Sequence, residues 1–248
     1  MKRILPGSPL LTAVAIVVTF LATRDNSCFV EAQGAAFSRQ VSCPAEPALS
    51  GYVSANDLNA DMADERARVD GGGARPASGY NMVICPNPTA PFVIEDAPIR
   101  PVLDQINISC GGPQSISPSC LVTGGETSQV SIQESTNPDY PINNVQFTGM
   151  TFSDAQTSII LEGKEPAVAT FDKVTWQDPG DGAETMIDVR RTDNDTPMTL
   201  RITNSVIESS DGTPTSASTS EAFLRNEGGR VVVEGMRISN ILAETVSK

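Results

Sequence analysis

Apolar and polar residues alternate in a short pattern that occurs four times in the second half of the chain. Each copy has alternating apolar residues, then one residue that breaks the alternation, then a further apolar pair. The copies begin at Val145, Ala169, Leu200 and Val231, about 24, 31 and 31 residues apart. This spacing is too long for a hairpin and is typical of one round of a solenoid. The pattern therefore predicts stacked parallel strands.

The residue at the break predicts a bend in each strand. The breaks fall at Gly149, Lys173, Asn204 and Gly235. Gly and Asn tolerate the left-handed backbone that such a corner often needs, so both halves of a copy can face inward. A further β run lies between successive copies, at residues 158–162, 185–190 and 222–226. We therefore expect about three short strands in each round.

Stacking of the copies predicts two internal columns of apolar side chains, spaced by about 4.8 Å. The first column contains Phe147, Phe171, Ile202 and Val233, and the second contains Phe152, Trp176, Ile207 and Ile238. We expect Trp176 to be buried beside Phe152. A single round cannot bury its own apolar face, so the stack needs several rounds and a cover at both ends.

A helix is predicted over residues 54–68, where Ser54 or Asn56 can act as the N-cap and glycines from Gly71 onward end it. This helix is the natural cover for the first round. Short β runs follow at residues 80–85, 92–95 and 105–110. No second cover is visible after the fourth copy, which predicts either end-to-end self-association with a partner chain there or a truncated product.

The N-terminal residues have the composition of an export signal. Lys2 and Arg3 precede an uncharged apolar run of about a dozen residues, which is too short to span a bilayer. Small residues favour cleavage before Gln33 or Ala35, whereas an uncleaved signal would leave the domain tethered outside the cell. The predicted divisions are a signal peptide (1–32), an N-terminal segment with the capping helix (33–79) and a parallel β-helix domain (80–248).

Cleavage of the signal would remove Cys28 and leave four cysteines in an oxidising compartment, where disulfides persist. These four allow three pairings, and the sequence alone does not choose among them. Cys110 and Cys120 flank a loop rich in Gly, Pro and Ser that favours a local bridge, and Cys43 with Cys85 would then tie down the N-terminal segment. A zinc site fits poorly, because the chain has no histidine and lacks paired short cysteine spacings.

The formal charge of −13 makes nucleic acid and anionic membranes unfavourable partners. An acidic extracellular surface more often serves solubility or weak binding of divalent cations. Two N-glycosylation acceptors agree with export, one at Asn107 (Asn-Ile-Ser) and one at Asn194 (Asn-Asp-Thr). We therefore expect a glycoprotein that is secreted or lies on the cell surface.

The chain resembles the pectin-lyase-like superfamily of right-handed parallel β-helix proteins, in particular its extracellular, disulfide-containing members. The resemblance rests on Val-Ile-Cys-Pro from Val83, Ile-Asn-Ile-Ser-Cys-Gly from Ile106, Cys-Leu-Val-Thr-Gly-Gly from Cys120 and the four copies. It covers residues 83–240 and implies an all-β solenoid of about four to six coils. Leucine-rich repeats share the period, but their Leu-x-x-Leu-x-Leu spacing is absent.

The resemblance implies carbohydrate as the ligand class, since enzymes of this superfamily act on acidic polysaccharides. Few aromatic side chains are available for stacking on sugar rings. The candidates are Tyr52, Tyr80, Tyr140 and Trp176, and Trp176 is better explained as a core residue.

The catalytic residues of these enzymes do not carry over. Polygalacturonase-like members use a histidine and several aspartates, and this chain has no histidine. Lyase-like members use calcium and an Arg or Lys base, for which Asp188, Arg190 and Arg191 are the one compact candidate group. A solvated strand end is the simpler interpretation of that group. We expect a non-catalytic module that binds polysaccharide or another extracellular partner, with a calcium-dependent polysaccharide lyase as the alternative.

The residues that close each copy form one further candidate site. Stacking would bring Asp154 and Asp178 about 5 Å apart, where a bound cation relieves the repulsion between carboxylates. Calcium takes several hard oxygen ligands, which Ser153, Asp181 and backbone carbonyls could complete. A ladder of hydrogen bonds between polar turn residues is the simpler interpretation. Calcium is thus the one cofactor that the sequence suggests.

Overall fold

The computed structural model is mostly β, with parallel sheets and one helix in the part of the chain that it describes. The described residues are 37–112, 120–125, 127–133, 135, 137–153, 155, 157–163, 166–177, 185–190, 198–208, 215–216, 223–239 and 241–242. They belong to one compact unit that begins at Gly34. The predicted signal peptide, residues 1–32, lies outside these ranges.

The helix α1 spans Ala55–Asp70. In chain order the strands are β1 (Val41–Ser42), β2 (Ser50–Gly51), β3 (Tyr80–Ile84), β4 (Phe92–Ile94), β5 (Ile106–Cys110), β6 (Leu121–Gly124), β7 (Val130–Gln133), β8 (Asn144–Thr148), β9 (Thr151–Ser153), β10 (Ile159–Glu162), β11 (Val168–Asp172), β12 (Thr175–Gln177), β13 (Ile187–Arg190), β14 (Thr199–Thr203), β15 (Val206–Glu208), β16 (Thr215–Ser216), β17 (Leu224–Glu227), β18 (Arg230–Glu234), β19 (Arg237–Ser239) and β20 (Ile241–Leu242).

The larger sheets are parallel, and their strands interleave along the chain. Sheet 1 has the order β3-β5-β8-β11-β14-β18, sheet 2 the order β4-β6-β9-β12-β15-β19, and sheet 3 the order β7-β10-β13-β17. From β5 to β19 the chain contributes a strand to sheet 1, then sheet 2, then sheet 3, before it returns to sheet 1. The one interruption among these strands is β16, which lies between β15 and β17 and pairs with β20 instead. We call one such passage a round, and each strand pairs with its equivalent in the next round.

The register of these strands confirms both predicted columns. In sheet 1 the aligned residues are Phe147, Phe171, Ile202 and Val233. In sheet 2 they are Phe152, Trp176, Ile207 and Ile238. Trp176 is fully buried, and its ring centroid lies 6.5 Å from that of Phe152. Inward-facing side chains of all three sheets form one hydrophobic core.

The predicted bend is present in all four copies. The backbone angle φ is 73° at Gly149, 54° at Lys173, 51° at Asn204 and 67° at Gly235. A lysine in this left-handed region costs about 1 to 2 kcal/mol. The stack offsets that cost, because the Lys173 amide donates to the Thr203 carbonyl of the next round at 3.0 Å.

Helix α1 covers the first round, as the sequence predicts. The Ser54 hydroxyl caps it by accepting a hydrogen bond from the Asp57 amide at 3.2 Å. Leu58 and Met62 face the core and are fully buried. The helix ends two residues later than predicted, at Asp70, because the Gly71 amide still donates to the Ala67 carbonyl at 3.0 Å.

Both predicted disulfides are present in the structure. Cys43 is bonded to Cys85, with the Cα atoms 5.1 Å apart, and Cys110 is bonded to Cys120, with the Cα atoms 5.7 Å apart. The first bond joins the N-terminal segment to the end of β3. The second closes the connection between β5 and β6.

The last round differs from the prediction of a fully internal column. Val233 is 48% exposed and Ile238 is 63% exposed, although both lie in the predicted register. The reason is that β17, β18 and β19 are the outermost strands of their sheets, so no described strand covers these side chains. Within the described ranges, no helix has the length and apolar composition needed to span a membrane.

Candidate functional site

The outer surface of the first four strands of sheet 1 carries a column of uncharged polar side chains, and the next residue in register, Arg201 of β14, is charged. Strand register aligns Asn81 with Asn107, Asn107 with Gln146, and Gln146 with Thr170. These residues alternate along their strands with buried apolar residues, so they point away from the core. Neighbours in the column are about 4.8 Å apart. We call this column the amide face.

Hydrogen bonds within and between strands fix the orientation of the amide face. Asn107 Nδ2 donates to Asn81 Oδ1 at 3.4 Å, and Thr148 Oγ1 donates to Asn107 Oδ1 at 3.3 Å. Gln146 Nε2 in turn donates to Thr148 Oγ1 at 3.2 Å. The donors and acceptors of the face are therefore ordered before any ligand arrives.

A polar column beside the amide face continues toward the later rounds. Asp172 accepts hydrogen bonds from Thr203 Oγ1 at 2.7 Å and from Asn204 Nδ2 at 3.0 Å. Burial acts to raise the pKa of Asp172, but these two hydrogen bonds and the charge of Lys173 together lower that pKa. This carboxylate is thus charged and held by the end of the neighbouring strand β14 and the corner that follows it.

A shallow cavity of about 330 Å³ lies over the first strands of the amide face. Its polar lining consists mainly of side-chain amides and hydroxyls, from Ser78, Asn81, Gln105, Asn107, Asn144 and Gln146. None of the described residues that line it carries a formal charge. This is unusual on a chain with a net charge of −13. The cavity suits a neutral ligand that is rich in hydroxyl groups.

A second cluster lies on sheet 3, around Asp188. Its side chain is only 1% exposed, and it pairs directly with Arg225 across β13 and β17. Arg190 Nε donates to Asp188 Oδ2 at 2.5 Å, and Arg225 Nε donates to Oδ1 at 2.8 Å. Arg225 Nη2 also donates to Oδ2. Burial acts to raise the pKa of Asp188, but the bonds from Arg225 and Arg190 lower it below the usual value.

This cluster brings together two of the three predicted lyase residues, Asp188 and Arg190, and adds a third residue that was not predicted. Arg191 lies outside the described residues. The missing partner is Arg225, 37 residues further along. Both oxygens of Asp188 already accept from guanidinium groups, and the positive charges of Arg190 and Arg225 repel a calcium ion at the same carboxylate. The geometry favours an ion cluster on the surface of the stack.

The predicted calcium ligands Asp154, Asp178 and Asp181 lie outside the described residues, as does the acceptor Asn194. Among the residues that the structure does describe, no three His, Cys, Asp or Glu side chains are grouped so that they could hold a metal ion. The other acceptor, Asn107, lies on the amide face. The calcium site at Asp154 and Asp178, in the column of residues that close each copy, therefore stays a prediction.

The tyrosines named as sugar-stacking candidates lie away from the amide face or are buried. Tyr52 and Tyr80 are buried under helix α1, where their hydroxyls donate to Asp61 Oδ2 at 3.0 Å and Glu65 Oε1 at 2.9 Å. Burial raises the pKa of Tyr80 to about 12. Tyr140 lies under the Arg75 guanidinium, 4.7 Å from the ring centroid. Tyr52 and Tyr80 therefore hold the helix in place, and their rings are too buried to stack on a sugar.

No protein-family model matches the chain, and the comparisons with curated proteins and with solved structures found no match. These comparisons do not identify the pectin-lyase-like superfamily that the repeats resemble. Function is therefore inferred from the geometry of the amide face and of the cluster around Asp188.

Proposed function

We propose that the protein is a secreted surface or matrix protein, folded as a right-handed parallel β-helix, that binds polysaccharide without cleaving it. The observation that carries this proposal is the uncharged amide face on sheet 1. The interleaved parallel sheets support the β-helix architecture. The two disulfides support folding in an oxidising compartment.

The amide face has the hydrogen-bonding chemistry that sugars need. A side-chain amide donates and accepts at once, as does each sugar hydroxyl, so the two groups can form paired hydrogen bonds. The column repeats with the strand spacing of about 4.8 Å, which favours a polymer over a single small molecule. Because the cavity lining is neutral and the chain is acidic, a neutral polysaccharide fits better than an acidic one.

Binding without cleavage is favoured by the cluster around Asp188. A lyase of the kind that the sequence suggests needs a carboxylate that is available for calcium. Here both oxygens of Asp188 accept hydrogen bonds from Arg190 and Arg225. The chain also has no histidine for a polygalacturonase-like site.

A matched pair of substitutions tests the proposed face. Gln146 lies on the amide face and Gln133 on the outer edge of sheet 3, and both side chains are exposed on the outside of a strand. For protein made in a bacterial periplasm, Gln146→Ala should weaken binding to a neutral polysaccharide about tenfold, the loss of about one good hydrogen bond. Gln133→Ala should leave the affinity unchanged. Equal affinities for both variants and the wild type would place the binding site elsewhere.

An activity assay separates binding from cleavage. Wild-type protein is incubated with neutral polysaccharides and with polyuronates plus calcium, and the absorbance of an unsaturated product is followed. We expect a flat trace in every case. A rise that disappears in Arg190→Ala would support the lyase instead.

We also propose that the outer edges of β17, β18 and β19 bind the same edges of a second copy. The exposed Val233 and Ile238 favour this contact. Helix α1 covers the other end of the stack, so the contact joins like ends by two-fold symmetry. Ile238→Lys should lower the mass measured by sedimentation, whereas Val93→Lys, at a 43% exposed valine of β4, should not. A monomeric wild type at all soluble concentrations would overturn this proposal.

A further inference from the structure

We propose that Asn107 carries an N-linked glycan in the secreted protein, and that this glycan lies on the amide face and competes there with external polysaccharide. The competition rests on the proposed function, because it requires that the face binds sugar. The attachment itself depends on secretion but not on sugar binding by the face.

Strand geometry places the acceptor sequence outward. Asn107, Ile108 and Ser109 lie within β5, where Ile108 is fully buried and its two neighbours are half-buried on the opposite surface. The acceptor amide and the hydroxyl that its recognition requires therefore share the outer surface of sheet 1. The Ser109 hydroxyl donates to the Gly111 carbonyl at 3.1 Å, which keeps it beside the strand.

The hydrogen bonds of Asn107 are compatible with a linked sugar. Its Nδ2 atom has two hydrogens, and one of them donates to Asn81 Oδ1 at 3.4 Å. The other is the hydrogen that attachment replaces. Oδ1 takes no part in the linkage, so it still accepts from Thr148 Oγ1 at 3.3 Å. Both neighbours then orient the linked amide across the sheet.

The attachment needs an activated oligosaccharide diphosphate as the co-reactant. The bond between Nδ2 and the anomeric carbon forms, and the bond from that carbon to the diphosphate oxygen breaks. The amide loses one proton, and the diphosphate leaves with the electron pair. No oxidation or reduction takes place.

The position of Asn107 in the sheet determines where the first sugars lie. Its strand has a neighbour on each side, with Asn81 in β3 and Gln146 in β8 aligned to it. A sugar on Nδ2 therefore starts within one strand spacing, about 4.8 Å, of both amides. The cavity of about 330 Å³ is lined by all three residues. A glycan at this point occupies the surface that an external polysaccharide would use.

Two substitutions at Ser109 test the proposal without changing the amide face. Ser109→Thr keeps the acceptor sequence and a hydroxyl, whereas Ser109→Ala removes the acceptor sequence and leaves Asn107 in place. Wild type and both variants are secreted from a eukaryotic host. The masses of peptides that contain Asn107 are measured by mass spectrometry before and after treatment with an amidase. This enzyme releases N-glycans and converts the linked Asn to Asp. Mapping at the peptide level separates Asn107 from the second acceptor at Asn194.

We expect a glycan on the Asn107 peptide of wild type and Ser109→Thr, and none on that of Ser109→Ala. We also expect Ser109→Ala to bind a neutral polysaccharide at least tenfold more tightly than Ser109→Thr, with equal thermal midpoints as the folding control. An unmodified Asn107 peptide in wild type would overturn the attachment. A modified peptide with equal affinities in the two variants would overturn the competition. Absence of binding by Ser109→Ala would overturn the proposed function and the competition together, while the peptide masses still decide the attachment.

Discussion

Equivalent side chains are buried at one end of sheet 1 and exposed at the other. At the first strand Met82 is fully buried, because helix α1 and the residues before it lie over the end of the stack. At the last strand Val233 is 48% exposed, although it continues the same column. Its neighbour one round earlier, Ile202, is fully buried. Burial in this fold is therefore supplied by the adjacent round and depends on position in the stack.

Hydrogen bonds and ion pairs hold the outermost elements at both ends of the stack, helix α1 at the first end and strand β17 at the last. At the first end Glu65 of α1 accepts from the Tyr80 hydroxyl and from Arg68, and the bond from Arg68 lowers the pKa of Glu65. At the last end Asp188 holds Arg225 of the outermost strand of sheet 3. One end thus combines an apolar cover with buried hydrogen bonds, and the other has the ion cluster beside exposed apolar side chains.

The largest expected effect separates the middle of the stack from its open end. Trp176→Ala should lower the free energy of unfolding by about 3 to 5 kcal/mol, because the side chain is fully buried between Phe152 and Phe223. Ile238→Ala, in the same column but 63% exposed in the single chain, should cost much less at protein concentrations where the chain is monomeric. Urea titration measures both. Trp176 is the only tryptophan, so a native fluorescence maximum typical of an exposed indole would contradict its burial.

The two disulfides give the next effect in size. Replacing Cys43 and Cys85 with Ser opens a loop with a sequence separation of 42, and replacing Cys110 and Cys120 opens one of 10. Loop-closure entropy predicts losses of about 4 and about 3 kcal/mol respectively. The first pair fastens the N-terminal segment that covers the stack, so it should be the more damaging loss. Thermal unfolding of the two double variants in oxidising buffer decides the order, and the reverse order would show that the cover contributes little.

An acid titration tests the polar bonds at the open end. Asp188→Asn should cost about 1 to 3 kcal/mol at pH 7, because it removes the charged partner of Arg190 and Arg225. The pKa of Asp188 is lowered in the folded protein, so its contribution is present above the unfolded pKa of about 3.9 and is lost as pH falls through the folded value. The difference from wild type should therefore shrink below about pH 4. Urea midpoints at pH 7 and pH 3 measure it, with Asp139→Asn, at an exposed turn residue, as the control. An equal difference at both pH values would mean that the ion cluster does not stabilise the fold.

Much of the stack could be predicted from the sequence, because a repeat fixes both the inward positions and the register between rounds. Phe152 and Trp176 occupy the same position in successive copies, and the structure pairs them. The left-handed corner at Lys173 was predictable for the same reason, although lysine has no preference for that backbone. The ends of the observed strands differ from the predicted ends by a residue or two, because local turns determine where each strand stops.

The candidate sites were harder to predict, because several of their residues lie outside the four copies. The amide face begins with Asn81 and Asn107, which lie before the first copy, so their alignment with Gln146 had no repeat to indicate it. The pairing of Asp188 with Arg225 did have a signal: aligning the β run at 222–226 with that at 185–190 sets the two residues opposite each other. Arg191 was predicted instead, because it is next to Arg190 in the sequence.

The smallest expected effect concerns the start of the helix that covers the first round. Ser54→Ala should lower the free energy of unfolding by about 1 kcal/mol, because it removes the hydroxyl that accepts from the Asp57 amide at 3.2 Å. Ser54→Gly should cost only a few tenths of a kcal/mol, because glycine leaves that amide open to water. Urea titration of both variants measures the difference, and hydrogen exchange of the amides in the first turn of α1 locates it. Since Leu58 lies one turn further along and is fully buried, fraying of the first turn should also speed exchange where the helix meets the core. Faster exchange confined to residues 55–57 would show that the core contacts hold the cover without the cap, and the contrast between the two ends would then rest on apolar packing alone.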